Sequence, residues 1–285
     1  MLDYSKIAIL TTVINFELYN KTSKLFPLGI KKYVIDGRNG MHGIHSIKYM
    51  MRILKGKGIQ WLIMVDEDVI FQNSSIVFHI IEEMKSNNMV VAGIRDGGMI
   101  SHRNYNPFVI NTFFSILNFT EIKNSWNRKE VLKNQYIIKN EFDDNLLNLK
   151  ESYDVESIYE PYYCFYLWLK RKKKKFLFLE SKMHDDKVTN TVLFNSKPFL
   201  NHTWYARSYG VNSKHTKRID TILNDSLNAS LKGSTYNTVD YILYKDKLFY
   251  IKSMFKKMLK KVSLKINEPI IAIIIYSFLY KYIMY

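Results

Sequence analysis

The segment WLIMVDEDVIFQNSS, Trp61 to Ser75, sets three adjacent acids at the end of an apolar run. Leu62 to Val65 are apolar, Asp66, Glu67 and Asp68 follow, and apolar character returns at Val69, Ile70 and Phe71. Side chains two apart on a strand point the same way, so Asp66 and Asp68 can converge while Glu67 faces elsewhere. Converging carboxylates repel unless a proton or a cation lies between them. A hard divalent ion, Mg²⁺ or Mn²⁺, accepts one or two carboxylates and completes its shell with water and phosphate oxygens. Such a site would anchor a diphosphate and neutralise leaving-group charge. The alternatives are a solvated, inert strand exit, or an aspartate nucleophile paired with its acid.

The elements that must hold these acids alternate along the N-terminal half. KIAILTTV (Lys6 to Val13), KKYVIDGRNG (Lys31 to Gly40), WLIMVD and MVVAGIRDGG read as strands. Between them, HSIKYMMRILKGKG and SSIVFHIIEEMKSNN carry apolar residues at helical spacing, the second capped by Ser74 or Ser75. This order predicts an α/β fold, a mostly parallel sheet flanked by helices, with ligands at the carboxyl ends of its strands. Thr11, Thr12, Asp36, Arg38, Asp66, Asp68, Arg95 and Asp96 all fall at such ends. Ser101 to Ser157, rich in Asn and aromatics with weak periods, reads as loop and short helix covering a site. EPYYCFYLWLKRKKKK is a helix with Pro161 in its first turn and its cations at the C-terminal end. FLFLES is a further strand ending at KMHDDK, KPFLNHTWYARSYG is loop-like, and a short helix lies near Arg218 to Leu231.

Composition narrows the partners. The chain has 285 residues, 47% apolar, enough for a sizeable core. Its one cysteine, Cys164, rules out an internal disulfide framework and suits a reducing compartment. MLDYSKIAILTTV lacks the features of a signal peptide, so a cytoplasmic location is expected. The net charge of +16 calls for an anionic partner. No zinc-finger spacing, RNP-type motif or basic zipper is present, so nucleic acid is not the expected partner.

From Tyr236 the composition changes, which divides the chain into a main domain over 1–235, expected to carry the acids' chemistry, and a helical segment over 236–285. Leu248, Ile251, Phe255, Met258, Leu259, Val262 and Ile266 recur at helical spacing, and Lys245, Lys247, Lys252, Lys256, Lys257, Lys260, Lys261 and Lys265 fill the remainder. PIIAIIIYSFLYKYIMY, Pro269 to Tyr285, is apolar but shorter than the ~20 residues a span requires. A basic amphipathic helix of this kind fits a segment lying in an anionic membrane surface. Each lysine there adds about 1 kcal/mol. The plain alternative is a helix docked on the protein's own core with a solvated lysine face.

MVDED after an apolar strand, third in the alternating series, resembles the DxD motif of GT-A-fold glycosyltransferases of the family-2-like branch. The likeness continues through Glu160 opening PYYCFYLWLKRKKKK, then FLFLES, then His184, and so spans roughly Lys6 to Arg207. It implies a GT-A, Rossmann-like fold and transfer of one sugar from a nucleoside diphosphate-sugar to a glycan or lipid-linked acceptor. The N-terminus and the basic C-terminal segment, not the resemblance, carry the expectation of a cytoplasmic protein peripherally bound to the inner face of the cell membrane. By position, Thr11, Thr12 and Val13 would line the nucleotide base, Asp36 and Arg38 would reach base or ribose, and His45 would approach the diphosphate. Asp66 and Asp68 would hold Mn²⁺ or Mg²⁺ with His184 completing the shell, and Glu160 would deprotonate the acceptor hydroxyl, which favours inversion. Pro161 stands where the family places a second acid, which brings in Asp185 or Asp186 as substitute bases. A Gln-x-x-Arg-Trp signature is absent, in keeping with single-sugar transfer.

Several positions keep two readings. His202, in the His-Trp-Tyr-Arg cluster, competes with His184, and either could bind phosphate with Arg207 while the other closes the metal shell. KRKKKK is a solvated helix end or a contact to a diphosphate-lipid. A phosphohydrolase of the haloacid dehalogenase type would also use an apolar strand followed by DxD, but on the first strand of its domain and with a later lysine. A membrane-bound scaffold without activity is the non-enzymatic rival.

Overall fold

The structure, a computed structural model, describes residues 2–230 and 240–263, with the side chains of 230 and 256–263 outside that description. In chain order the elements begin with β1 (Ile7–Val13), α1 (Phe16–Thr22), β2 (Lys31–Asp36), α2 (Ile44–Leu54), β3 (Trp61–Val65), β4 (Val69–Phe71) and α3 (Ile76–Ser86). Next come β5 (Met89–Arg95), β6 (Gly97–Ile100), β7 (Arg103–Asn104), β8 (Ile110–Asn118), α4 (Phe119–Ser125), α5 (Arg128–Leu132) and α6 (Tyr163–Arg171). The chain continues through β9 (Lys175–Phe178), β10 (Glu180–Met183), β11 (Asn190–Phe194), β12 (Lys197–His202), α7 (Ser213–Ser230), β13 (Ile242–Tyr244) and α8 (Lys247–Ser263).

The central sheet has seven strands in the order β13-β2-β1-β3-β8-β5-β9. β13, β2, β1 and β3 run parallel, β8 is antiparallel to both β3 and β5, and β9 is parallel to β5. The architecture is therefore mixed α/β with a mostly parallel sheet between helices, compatible with a Rossmann-like arrangement. β3 explains why WLIMV is a continuous apolar run. Trp61, Ile63 and Val65 enter the core on one face, and Leu62 and Met64 enter that on the other. A second sheet, β10-β11-β12-β4, stands beside the first, and β4 is the return of the chain immediately after the acids.

Two expectations are corrected here. The region from Ser101 to Ser157 contains β8, nine residues in the middle of the main sheet. KPFLNHTWYARSYG is loop-like only in part, because Lys197–His202 is a strand. Within the segment after Tyr236, Ile242–Tyr244 adds an edge strand to the main sheet beside Tyr33–Ile35. The boundary at 235/236 and the stretch Pro269 to Tyr285 lie outside the described residues. Among those described, no helix is long and apolar enough to cross a membrane.

The KRKKKK run is solvated only in part: Lys172, Lys173 and Lys175 are exposed, while Lys170, Arg171 and Lys174 are half-buried. Lys170 pairs with Asp144 and sits among the rings of Phe108, Phe142, Phe176 and Phe178. Arg171 bonds Glu141, Asn134 and the Tyr136 carbonyl. Lys172 and Lys174 meet Glu130 and Glu121. These cations brace the C-terminal end of α6 against the 121–144 region, and Gln135 Nε2, donating to the Glu160 carbonyl at 2.9 Å, ties down the segment that leads into the helix.

Candidate active site

β3 ends at Val65, so Asp66 to Asp68 form the turn between β3 and β4 rather than a continuing strand. The Asp66 amide donates to the Phe113 carbonyl at 2.8 Å, and the Val69 amide closes the turn on the Asp66 carbonyl at 3.2 Å. The convergence of the two aspartates thus comes from a turn, not from strand alternation. Register supplies the third member. β4 and β12 pair antiparallel with Val69 opposite His202, and the Thr203 amide donates to the Asp68 carbonyl at 3.0 Å. That pairing sets His202 Nε2 3.2 Å from Asp68 Oδ1. Ligand atoms of Asp66, Asp68 and His202 all lie within 4.8 Å of one another.

His202 is buried, stacked on Phe113 with ring centres 4.1 Å apart, and flanked by Trp204. Its Nδ1 has no hydrogen-bond partner. Burial first, and then Asp68 and Glu67, push the Asp66 carboxyl well above its ordinary pKa, with Arg207 opposing the rise. A cation among these groups would relieve that cost. The donor set fits a divalent ion. Carboxylates suit both candidates, and the imidazole favours Mn²⁺ over the strictly oxygen-seeking Mg²⁺.

Glu67 does different work. It is buried, and its Oε1 accepts from the Ile14 and Asn15 amides at 3.0 and 3.2 Å. Burial, followed by Asp68, raises its pKa to about 7. Asn15 caps α1 through the Leu18 amide and donates to the Ala206 and Tyr209 carbonyls at 3.0 and 2.9 Å. Glu67 and Asn15 together lock the end of β1 and the 206–209 loop around the acids. In that loop Trp204 and Tyr205 adopt left-handed backbone, φ 58° and 63°. Arg218 holds it from α7 by donating to the Thr203 and Trp204 carbonyls.

The acids open into a cavity of about 540 Å³. Thr12, Asp66, Asp68 and Glu160 line it, with His42, Arg103, His202 and Arg207. On the Glu160 side a second polar centre is built on Asp96, which is wholly buried. Asp96 accepts from Arg103 Nε and Nη2 at 2.8 and 2.7 Å, from Asn111 at 2.6 Å, and from the hydroxyls of Tyr162 and Tyr163. Arg103 Nη2 also reaches Glu160 Oε1 at 3.3 Å. Gly97 makes this approach possible, since a Cβ there would stand 1.9 Å from the Tyr105 carbonyl oxygen. Burial opposes the Arg103 charge, but Asp96 reverses the balance and raises its pKa.

The other sequence candidates lie elsewhere. His184 is in the β10–β11 turn, 3.7 Å from Asp186, so the histidine beside the two aspartates is His202. β10 is the far edge of the second sheet from β4, which is why that turn cannot reach the acids. Asp185 is exposed in the same turn and does not line the cavity. Asp186 is engaged as a turn cap by Val188, Thr189 and Arg218. Thr11 points into the core on the opposite face of β1 from Thr12. Asp36 and Arg38 close on each other at 2.7 Å, with Arg38 over the Phe16 ring, and neither lines the cavity. His45 packs near Phe249 and does not line the cavity, whereas His42, three residues earlier, does. Sequence reasoning missed Arg103 and Asn111, both within the stretch read as loop, and did not select Asp96. The one signal available was Asp96 at a strand end.

A substitution separates the two histidines. His202→Ala should weaken Mn²⁺ binding by at least the ~10–100-fold that loss of a partner merely orienting a ligand costs. His184→Ala should leave it unchanged, and a competition assay with a Mn²⁺-sensitive dye reads both.

No family model matches the chain, and no curated protein matches it. Among solved structures it is similar to "Crystal Structure of A197 from STIV" at 11% identity, covering 68% of this chain and 93% of that one, with a TM-score of 0.36. It is also similar to "Crystal structure of a glycosyltransferase involved in the glycosylation of the major capsid of PBCV-1" at 15% identity, covering 44% of this chain and 68% of that one, with a TM-score of 0.30. At these scores neither likeness bears on what this chain does.

Proposed function

We propose that the protein is a metal-dependent glycosyltransferase of GT-A type, moving one sugar from a nucleoside diphosphate donor to a hydroxyl acceptor. The observation that carries this reading is the Asp66–Asp68–His202 cluster sharing one cavity with Glu160, at the carboxyl ends of parallel strands. Mn²⁺ held by Asp66, Asp68 and His202 would supply charge neutralisation for a departing diphosphate. Thr12 and the Glu67-locked turn at Ile14 and Asn15 form the donor side. Arg207, an exposed cation on the cavity wall, adds positive charge for phosphate oxygens.

Glu160 takes the proton from the acceptor hydroxyl as its oxygen bonds to the anomeric carbon and the bond to diphosphate breaks. Arg103 orients Glu160 by its hydrogen bond, and the Asp96 network holds Arg103. A single displacement, inverting the anomeric centre, is the form of reaction favoured by a lone base outside the acidic cluster. The phosphohydrolase reading loses ground on chemistry, since no lysine lines the cavity among the described residues.

Glu160→Gln keeps the size of the side chain and removes its basicity. It should lower transfer by about 10²–10⁴-fold and leave Mn²⁺-dependent thermal stabilisation intact. Incubation with a panel of sugar nucleotides, scored for released nucleoside diphosphate, is the test. Release from phosphate monoesters instead of sugar nucleotides would replace this reading with the hydrolase.

A further inference from the structure

We infer that α8, with the strand leading into it, forms a docking face for an anionic lipid surface at the cavity end of the sheet. The helix is amphipathic, yet among its described side chains, 247–255, the apolar stripe is exposed. Leu248, Ile251, Met254 and Phe255 recur at helical spacing, and all are exposed, Leu248 to 66%. Tyr250 is exposed beside them, and so are Ile242 and Leu243 of β13. The helix is held to the protein by other groups. Phe249, half-buried, packs against the core on the α2 side, Arg52 of α2 pairs with Asp246, and Tyr33 meets Tyr244. A helix that buried its apolar stripe on its own domain would show the reverse.

Charge selects the occupant. Lys247 and Lys252 lie on the same turns of the helix as the stripe, and neither has an acidic partner among the described residues. The sequence continues with Lys256, Lys257, Lys260 and Lys261 in a chain of net charge +16. The apolar segment after Glu268 offers no anionic groups to meet these lysines, and a second copy brings the same positive charge. An anionic leaflet offers both an apolar layer and negative headgroups.

Position ties this face to the cavity. β13 runs parallel to β2, so α8 begins where β1 to β3 deliver the acids, and Lys245 lies 3.9 Å from Asp36 at that end. Resting on the transferase reading, this geometry points to an acceptor carried by lipid in the docked membrane. Membrane docking itself is independent of that reading.

The test uses the full chain and vesicle flotation, with neutral phosphatidylcholine vesicles and with vesicles containing about a third phosphatidylglycerol. The wild-type protein should float with the anionic vesicles and be released by high salt. Ile251→Asp with Phe255→Asp should reduce binding by about tenfold or more, with an unchanged circular dichroism spectrum. The same variant should keep its Mn²⁺-dependent nucleotide response, which separates failure of docking from failure of the site. Absence of wild-type flotation, equal flotation of the variant, or conversion of a dimer to a monomer by the variant would each overturn the assignment.

Discussion

Asp68→Asn should abolish transfer while leaving the fold intact, and it should remove the response of the protein to Mn²⁺. Asp68 is buried, and it is the group through which register brings His202 to the acids. A bound divalent ion supplies several kcal/mol of charge stabilisation. Each ~1.4 kcal/mol is tenfold in rate, so the expected loss is about a thousandfold or more. Stability should move the other way. Asp68 is one of the charges that pushes the Asp66 carboxyl upward, and its neutral analogue removes that repulsion while retaining a partner for His202. The metal-free variant should therefore melt at or above the wild-type temperature. Wild-type protein at a hundred times its Mn²⁺ dissociation constant should gain about 2.7 kcal/mol, and the variant should gain nothing. Retained Mn²⁺-dependent transfer within about tenfold of wild type would remove Asp68 from the site.

The second large effect concerns folding. Arg103→Met deletes the only cation bonded to the wholly buried Asp96 among the described residues. An uncompensated buried charge typically costs about 3–5 kcal/mol, a fall in melting temperature on the order of 10 °C for a chain of this size. Asn111, Tyr162 and Tyr163 would still donate to Asp96, but none of them carries charge. Arg103→Met with Asp96→Asn should recover most of the loss, since the charge that needed compensation is gone. Transfer should stay low in both, because Glu160 has lost its orienting bond. A single variant destabilised by under about 1 kcal/mol would mean that Asp96 does not depend on Arg103.

The readable part of the sequence was the part governed by local pattern. WLIMV and MVVAGIR announce themselves as apolar runs because buried sheet strands are apolar on both faces. The helices Ile44–Leu54 and Ile76–Ser86 show their helical spacing plainly. INTFFSILN was missed although it is central, because it is framed by Asn-rich loops and follows neither period cleanly. His202 could not be preferred over His184 from the sequence, since the choice depends on β4 pairing with β12 and leaving β10 at the far edge. That is a long-range register, which composition does not carry. Arg103 and Asp96 are close in sequence, yet their union requires Gly97 to let two backbone segments nearly touch. In the C-terminal segment the amphipathic pattern was legible, but its direction was not. A periodic stripe looks the same whether it faces the core or solvent.

Asp66, Asp68 and His202 are proposed to grip a diphosphate through a divalent cation. Calorimetric titration of a panel of nucleoside diphosphates into the full chain, with Mn²⁺ and then with excess chelator, tests this most directly. At least one diphosphate should bind with Mn²⁺ and lose about tenfold or more of its affinity under chelation, with His202→Ala reproducing that loss in the presence of Mn²⁺. Binding of equal strength with and without the metal, or no diphosphate binding at all, would contradict it.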